Sequence, residues 1–324
     1  MAVTQLEAPD IRDVARRMRA VRDRALAEIG RVVVGMEPVT ENLLAALVAA
    51  GHVLLEGVPG VAKTTLSKLF ARALGVEYQR IQFTPDLLPS DVTGTYVFDR
   101  KRDDFTLRKG PIFTQVLLAD EINRAPAKTQ SALLEGMQEG QVTIEGNTLP
   151  LPRPFLVLAT QNPVEQEGVY RLPEAQLDRF LLRVTMGYPG HEQEVGLLRM
   201  QSGPIPEVSQ LMSEDEILDV QMRVQEVHAA GSLFEYVVDL AEESRRHPDL
   251  ALGASPRASL SLLKCARARA LIDGRHYITH EDVRAMAEPV LAHRLIIRPE
   301  AEVEGRTTRE VVRELLETVA VIQE

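Results

Sequence analysis

Apolar positions in the first part of the chain follow two different periods. Residues 11–29 place Val14, Met18, Val21, Leu26 and Ile29 at helical spacing. Val32-Val33-Val34-Gly35 then reads as a short extended piece. Thr40 reads as the cap of a second helix, Glu41 to Ala50, which meets Gly51. From there, short apolar runs recur at Val53–Leu55, Tyr78–Phe83, Val116–Ala119, Phe155–Ala159 and Phe180–Val184, with helical segments between most of them. Unbroken apolar runs suit strands covered on both faces. The alternation therefore predicts an α/β fold, a parallel five-stranded sheet with helices on either side.

Two β-hairpins interrupt that alternation. One pairs Thr95–Phe98 with Phe105–Leu107 across a charged turn, and the other pairs Gln141–Ile144 with Thr148–Leu151 across Glu145-Gly146-Asn147. An alternating α/β core does not need them, so they are candidate working parts, or else decorative surface loops. After Tyr188-Pro189-Gly190 the pattern turns all-helical. Segments start near His191, Ser213, Leu233, Pro256, Thr279 and Thr308, and Thr279 with Asp282 resembles a capping box. A boundary near residue 190 is expected, with residues 1–190 as the core plus N-terminal helices and 191–324 as a helical lid.

Composition narrows the class. At 45% apolar and 26% charged, the chain can build an ordinary globular core. No stretch approaches the ~20 apolar residues of a membrane span. The N-terminus shows no apolar run after a basic start, so no secretory signal is visible. The lone Cys265 excludes an internal disulfide and sits in a helical, core-like pattern. These features suit the cytoplasm. A net charge of −10 argues against nucleic acid as a partner. The basic stretches Arg100–Arg102 and Arg245–His247 are short and flanked by acids, as in a solvated hairpin tip and helix end.

The chemistry concentrates at strand ends. Gly57-Val58-Pro59-Gly60-Val61-Ala62-Lys63-Thr64 follows the run Val53–Leu55 directly. A glycine-rich turn between a strand and a helix points backbone N–H groups at phosphate oxygens, and the helix N-terminus adds partial positive charge. Lys63 would reach the β- and γ-phosphates and the Thr64 hydroxyl would ligate Mg²⁺. Thr65 completes the candidate nucleotide-binding set. Ala62 stands where this motif usually has Gly, which is acceptable if the backbone is already helical there and strained if φ is positive.

Asp120-Glu121 follow the run Val116–Ala119. Asp120 would hold Mg²⁺ through its water shell, and Glu121 would orient and deprotonate the attacking water. The bland alternative is a cap for the next helix. The following run, Phe155–Ala159, leads into Thr160-Gln161-Asn162-Pro163, where the Asn162 amide could position the water beside the γ-phosphate. Arg179 lies between a short helix from Pro173 and the last run. It either pairs within its own domain or projects into a neighbouring subunit's nucleotide as an arginine finger. Arg257, in Ser255-Pro256-Arg257, is expected to fold back over the phosphates and couple the helical half to the nucleotide. The alternative is a surface arginine in a first turn, which is slightly unfavourable against the helix dipole.

These features in this order resemble the AAA+ ATPases, and more narrowly the MoxR family, over about Val32 to Glu304. Gly57–Thr64 resembles Walker A, with Ala62 at home in this family, and Ala119–Ala125 resembles Walker B and its extension. Ala159–Pro163 resembles the sensor-1 segment, Leu172–Phe180 the finger helix and Gly253–Ala258 sensor 2. The residues themselves argue for ATP and Mg²⁺ binding and for hydrolysis. The resemblance implies more: a homo-oligomeric ring, usually a hexamer, with active sites shared between neighbours. It also implies a chaperone-like role in remodelling or maturing a partner protein complex, often one containing a von Willebrand A domain. The hairpins become inserts that face the pore or the client, and Arg124 and Arg171 become further candidate interface arginines.

Three other functions compete. A nucleic-acid motor or clamp loader is disfavoured by net acidity and by few aromatic–basic interleavings. A motor subunit of a metal-chelatase-like complex would need a separate catalytic subunit. A non-hydrolysing scaffold would not require Lys63, Asp120, Glu121, Asn162 and Arg179 together.

Overall fold

Asp10 accepts the Arg12 N–H at 3.1 Å, which caps helix α1 (Ile11–Gly30). The computed structural model describes residues 10–162, 169–170, 172–200 and 207–321, with the side chains of 196, 197, 199 and 200 excepted. Val32–Gly35 forms turns rather than an extended piece, and Gly35 takes φ +77°. Helix α2 (Glu37–Val48) begins earlier than the Thr40 cap suggests. Pro38 occupies its first turn, where a missing N–H is harmless. Thr40 lies inside the helix, buried, with its hydroxyl donating to the Met36 carbonyl at 2.9 Å.

The alternating region folds as β1 (Val53–Gly57), α3 (Lys63–Leu74), β2 (Tyr78–Gln82) and the short α4 (Pro89–Thr93). The first hairpin, β3 (Gly94–Asp99) with β4 (Asp104–Lys109), comes next. It is followed by β5 (Val116–Asp120), a 3-10 turn at Ile122–Arg124 and α5 (Ala127–Glu139). The second hairpin, β6 (Gln141–Ile144) with β7 (Asn147–Pro150), leads to β8 (Leu156–Gln161), α6 (Glu174–Leu177) and β9 (Leu182–Met186).

The five apolar runs make one sheet in the order β2-β5-β8-β1-β9, every pair parallel. Val53 lies beside both Leu158 and Leu182. All strands therefore end on one edge, at Gly57, Gln82, Asp120, Gln161 and Met186. Alternate residues face opposite cores. Val53, Leu55, Leu118 and Leu158 join α1–α3 and the later helices, whereas Leu54, Leu117, Ala119 and Val157 meet α5 and the second hairpin. Leu54, Leu55, Leu117 and Leu118 are fully buried, each contributing about 1.5–3 kcal/mol by leaving water.

The second half is helical as expected: α7 (His191–Met200), α8 (Glu214–Arg223), α9 (Gly231–Arg246), α10 (Pro256–Ile272), α11 (His280–Leu291), α12 (Pro299–Val303) and α13 (Thr308–Thr318). A small antiparallel pair, β10 (Leu250–Leu252) with β11 (Ile296–Ile297), was not anticipated. The buried face of α10 is rich in small residues, Ala258, Cys265, Ala266, Ala268 and Ala270, and packs against α1, α2 and α11. One apolar core thus runs from the N-terminal helices through the sheet into the later helices. Cys265 is fully buried there, and burial pushes its thiol up to about 12.

Candidate active site

The phosphate loop leaves β1 at Gly57, where a Cβ would lie 2.6 Å from the Met186 carbonyl oxygen. Gly60 takes φ +87°. Ala62 takes φ +61° and ψ +23°, the left-handed region, and α3 begins one residue later at Lys63. The backbone at Ala62 is therefore not helical in the sense that would make Ala indifferent. A Cβ in this conformation costs about 1–2 kcal/mol. Lys63 Nζ donates to the Gly57 carbonyl at 2.6 Å and closes the loop on itself. Thr64 and Thr65 lie exposed in the first turn of α3, where N–H groups lack intrahelical partners.

The acidic part is built from three adjacent strands. Thr160, fully buried on β8, donates its hydroxyl to Asp120 Oδ1 at 2.6 Å and accepts the Glu121 N–H at 2.9 Å. One threonine thereby sets the spacing of both carboxylate residues. From β2, Arg80 donates to Asp120 Oδ2 through Nη2 at 2.7 Å and Nε at 3.1 Å. Glu121 is also left-handed, with φ +56°, because the chain turns sharply out of β5 into the 3-10 turn. Its Oε2 accepts from Gln82 Nε2 at 2.6 Å and Arg124 Nη1 at 3.1 Å. Arg124 thus pairs with Glu121 of its own chain. Asn162 is buried just past the end of β8. Arg171 lies outside the described residues.

Arg80, Gln82 and the bridging role of Thr160 escaped the sequence reading. Gln82 lies directly beside Asp120 in the β2–β5 register, and no contiguous pattern reveals that neighbour. Thr64 and Asp120 both offer hard oxygen donors at the strand-end edge. That donor set fits Mg²⁺, which usually keeps several waters and takes few protein ligands.

Arg179 and Arg257 lie at the other end of the sheet. Leu181 N–H donates to the His52 carbonyl at 2.8 Å, so residues 178–181 sit beside the start of β1, not its end. Arg179 Nη1 donates to the Leu134 carbonyl at 2.9 Å. Arg257 Nη1 lies 3.5 Å from Asp178 Oδ2. The length of β1, about 13 Å at strand rise, separates both arginines from their own phosphate loop. α10 docks on α1, α2 and α11, which brings Arg257 beside Arg179 and away from the phosphate loop of its own chain. His52, at the same end, is buried. Its Nε2–H reaches the Met137 carbonyl at 2.9 Å and its Nδ1 accepts the Val157 N–H at 3.0 Å. Burial lowers its pKa to about 4.

A parallel sheet with a glycine-rich phosphate loop at one strand end, an Asp-Glu pair two strands away and a helical second half defines a P-loop ATPase with a lid. The comparisons agree. Residues 52–182 match the ATPase family associated with various cellular activities (AAA), and residues 242–315 match the AAA lid domain. The chain is 48% identical over 300 residues to uncharacterized protein YeaC of Bacillus subtilis, covering 92% of this chain and 94% of that one. It is 45% identical over 310 residues to Chaperone MoxR1 of Mycobacterium tuberculosis, covering 93% and 82%. It is 32% identical to Protein MoxR of Methylorubrum extorquens, covering 90% and 92%. A solved structure from Cytophaga hutchinsonii, described as a candidate ATPase, superposes with a TM-score of 0.89 at 41% identity, covering 96% and 98%. The chain belongs to the MoxR family of AAA+ ATPases. Among the described residues, no helix is long and apolar enough to cross a membrane.

Proposed function

We propose that this ATPase hydrolyses Mg-ATP as a subunit of a cytoplasmic homo-oligomeric ring, a hexamer, and uses the cycle as a chaperone to remodel or mature a partner protein complex. Partners carrying a von Willebrand A domain fit this role, and residues 191–324 act as the lid. Lys63, the loop amides from Gly57 to Ala62, and Thr64 and Thr65 bind the triphosphate. Thr64 and Asp120 would hold Mg²⁺, which when bound neutralises charge on the phosphate oxygens. Glu121 takes the proton of the attacking water, and Asn162 orients that water. Before this can happen, Glu121 must leave Gln82 and Arg124.

One observation carries the shared-site reading: Arg179 and Arg257 are separated from their own phosphate loop by the length of β1. Cations there serve a nucleotide only if it belongs to a neighbour. The chaperone role draws support from the likeness to Chaperone MoxR1.

The test is ATPase activity against protein concentration, with mass by light scattering with and without ATP and Mg²⁺. Specific activity should rise as monomers become rings. Glu121→Gln subunits mixed with Arg179→Ala subunits should regain activity that neither has alone. Flat activity from a monomer, or no regain on mixing, would end the shared-site reading and leave the ATPase assignment standing.

A further inference from the structure

Asp178 is gripped from two directions by the lid. Its Oδ1 accepts from Arg294 Nε at 2.8 Å, and its Oδ2 faces Arg257 at 3.5 Å. It immediately precedes Arg179 in the chain. Arg294 is only 4% exposed along its side chain, and it also donates to the carbonyls of Phe180 at 2.8 Å, Leu181 at 3.1 Å and Val290. His293 Nε2 reaches the Phe180 carbonyl at 3.0 Å. The residues after α11 thus hold the Asp178 carboxylate on one side of the finger candidate and the carbonyls of Phe180 and Leu181 on the other. By contrast, Arg257 is 56% exposed along its side chain.

Charge makes the arrangement directional. A cavity of about 250 Å³ is lined by Arg179, Arg257, Lys264 and Arg294, with Asp178 as its one acidic lining residue among those described. Four cations around one carboxylate favour an anionic guest. They also repel one another unless something fixes their spacing. Asp178 is the counter-charge that does so.

We infer that Asp178 is a positioning residue that seats Arg257 beside Arg179, so that both guanidinium groups meet the neighbouring subunit's triphosphate as one preset pair. This rests on the shared-site reading above. Presetting matters because a misplacement of about 1 Å in a transition-state contact lowers the rate about 100-fold. Asp178 also anchors the buried Arg294, a contact of the fold, so the part of its effect assigned here is the loss of turnover that passes through Arg257.

A double-mutant cycle tests this. Asp178→Asn should lower kcat by about tenfold or more with a smaller change in KM for ATP, since the preset pair acts mainly on charge in the transition state. In an Arg257→Ala background, Asp178→Asn should have no further effect. If the two losses multiply, Asp178 acts elsewhere and the inference falls. Should Asp178→Asn fail to fold, Asp178→Glu replaces it in the same cycle. It keeps the charge but displaces Arg257 by one methylene, so its loss must likewise vanish with Arg257→Ala. The subunit-mixing experiment is run beside it. Regained activity on mixing with multiplicative losses in the cycle would overturn the role of Asp178 alone. No regain on mixing would overturn the shared site and this inference with it.

Discussion

Gln82 donates its side-chain amide to the Glu121 carboxylate at 2.6 Å, across the β2–β5 pair. Arg124 holds the same oxygen from three residues further on. The carboxylate proposed to activate water is thereby tied to its own sheet, and under that proposal turnover requires its release. A hydrogen bond to a charged group is worth about 1.5–3 kcal/mol. Gln82→Ala should therefore raise basal ATP turnover by about tenfold, measured as steady-state phosphate release. An unchanged or lower rate would mean that Gln82 orients Glu121 for chemistry instead of holding it back.

Glu121→Gln keeps size and hydrogen-bonding shape but cannot take a proton. ATP binding, read by calorimetry, should survive. Turnover should drop by about 10²–10⁴, the usual range for losing a general base. Normal hydrolysis in this variant would remove Glu121 from the mechanism.

Lys63 already donates to the Gly57 carbonyl in the loop, so it is preset close to where phosphate oxygens would sit. Lys63→Ala should weaken ATP binding about 10- to 100-fold, the equivalent of one charge-assisted hydrogen bond. Equal affinity would undo the phosphate-loop assignment.

Ala62 is left-handed with a Cβ. Ala62→Gly removes that strain, offset by the larger backbone freedom of unfolded glycine. The net expectation is a gain of about 0.5–1 kcal/mol in urea unfolding, and Ala62→Val should lose stability. A destabilised Ala62→Gly would show that the left-handed turn is not strained.

Acid should weaken the fold through His52. Its folded pKa is lowered to about 4 by burial, below the ordinary 6.5. The unfolded chain then binds the extra proton first. Stability is complete above pH 6.5, falls between pH 6.5 and 4, and levels below that. The His52 share is about 3 kcal/mol. His293, buried and lowered in the same direction, adds to the fall. Urea unfolding at several pH values should show the slope, and His52→Asn should flatten part of it. An unchanged slope would mean that His52 is protonated at little cost in the fold.

The legible parts of this protein were those written in contiguous residues. The runs of β1, β5 and β8 predicted the centre of the sheet because strands buried on both faces need unbroken apolar stretches, whereas the edge strand β2 buries only Ile81. The glycine turn before Lys63 and the Asp120-Glu121 pair were readable because each is a local motif at a strand end. The start of α2 is not legible locally, because Thr40 is a capping residue by type. Its hydroxyl found the Met36 carbonyl inside a helix that Pro38 had already opened.

What only the tertiary structure decided was neighbourhood. Strand order β2-β5-β8 put Gln82, Arg80 and Thr160 on the two carboxylates, and hydrogen-bonded order between distant strands leaves no mark in the period of any one of them. Likewise, Ser255-Pro256-Arg257 announces where a helix begins but not which end of the sheet it reaches. The small-residue face of α10 and the grip of Arg294 on residues 178–181 settled that, by burying apolar surface and satisfying carbonyls that nothing local could satisfy.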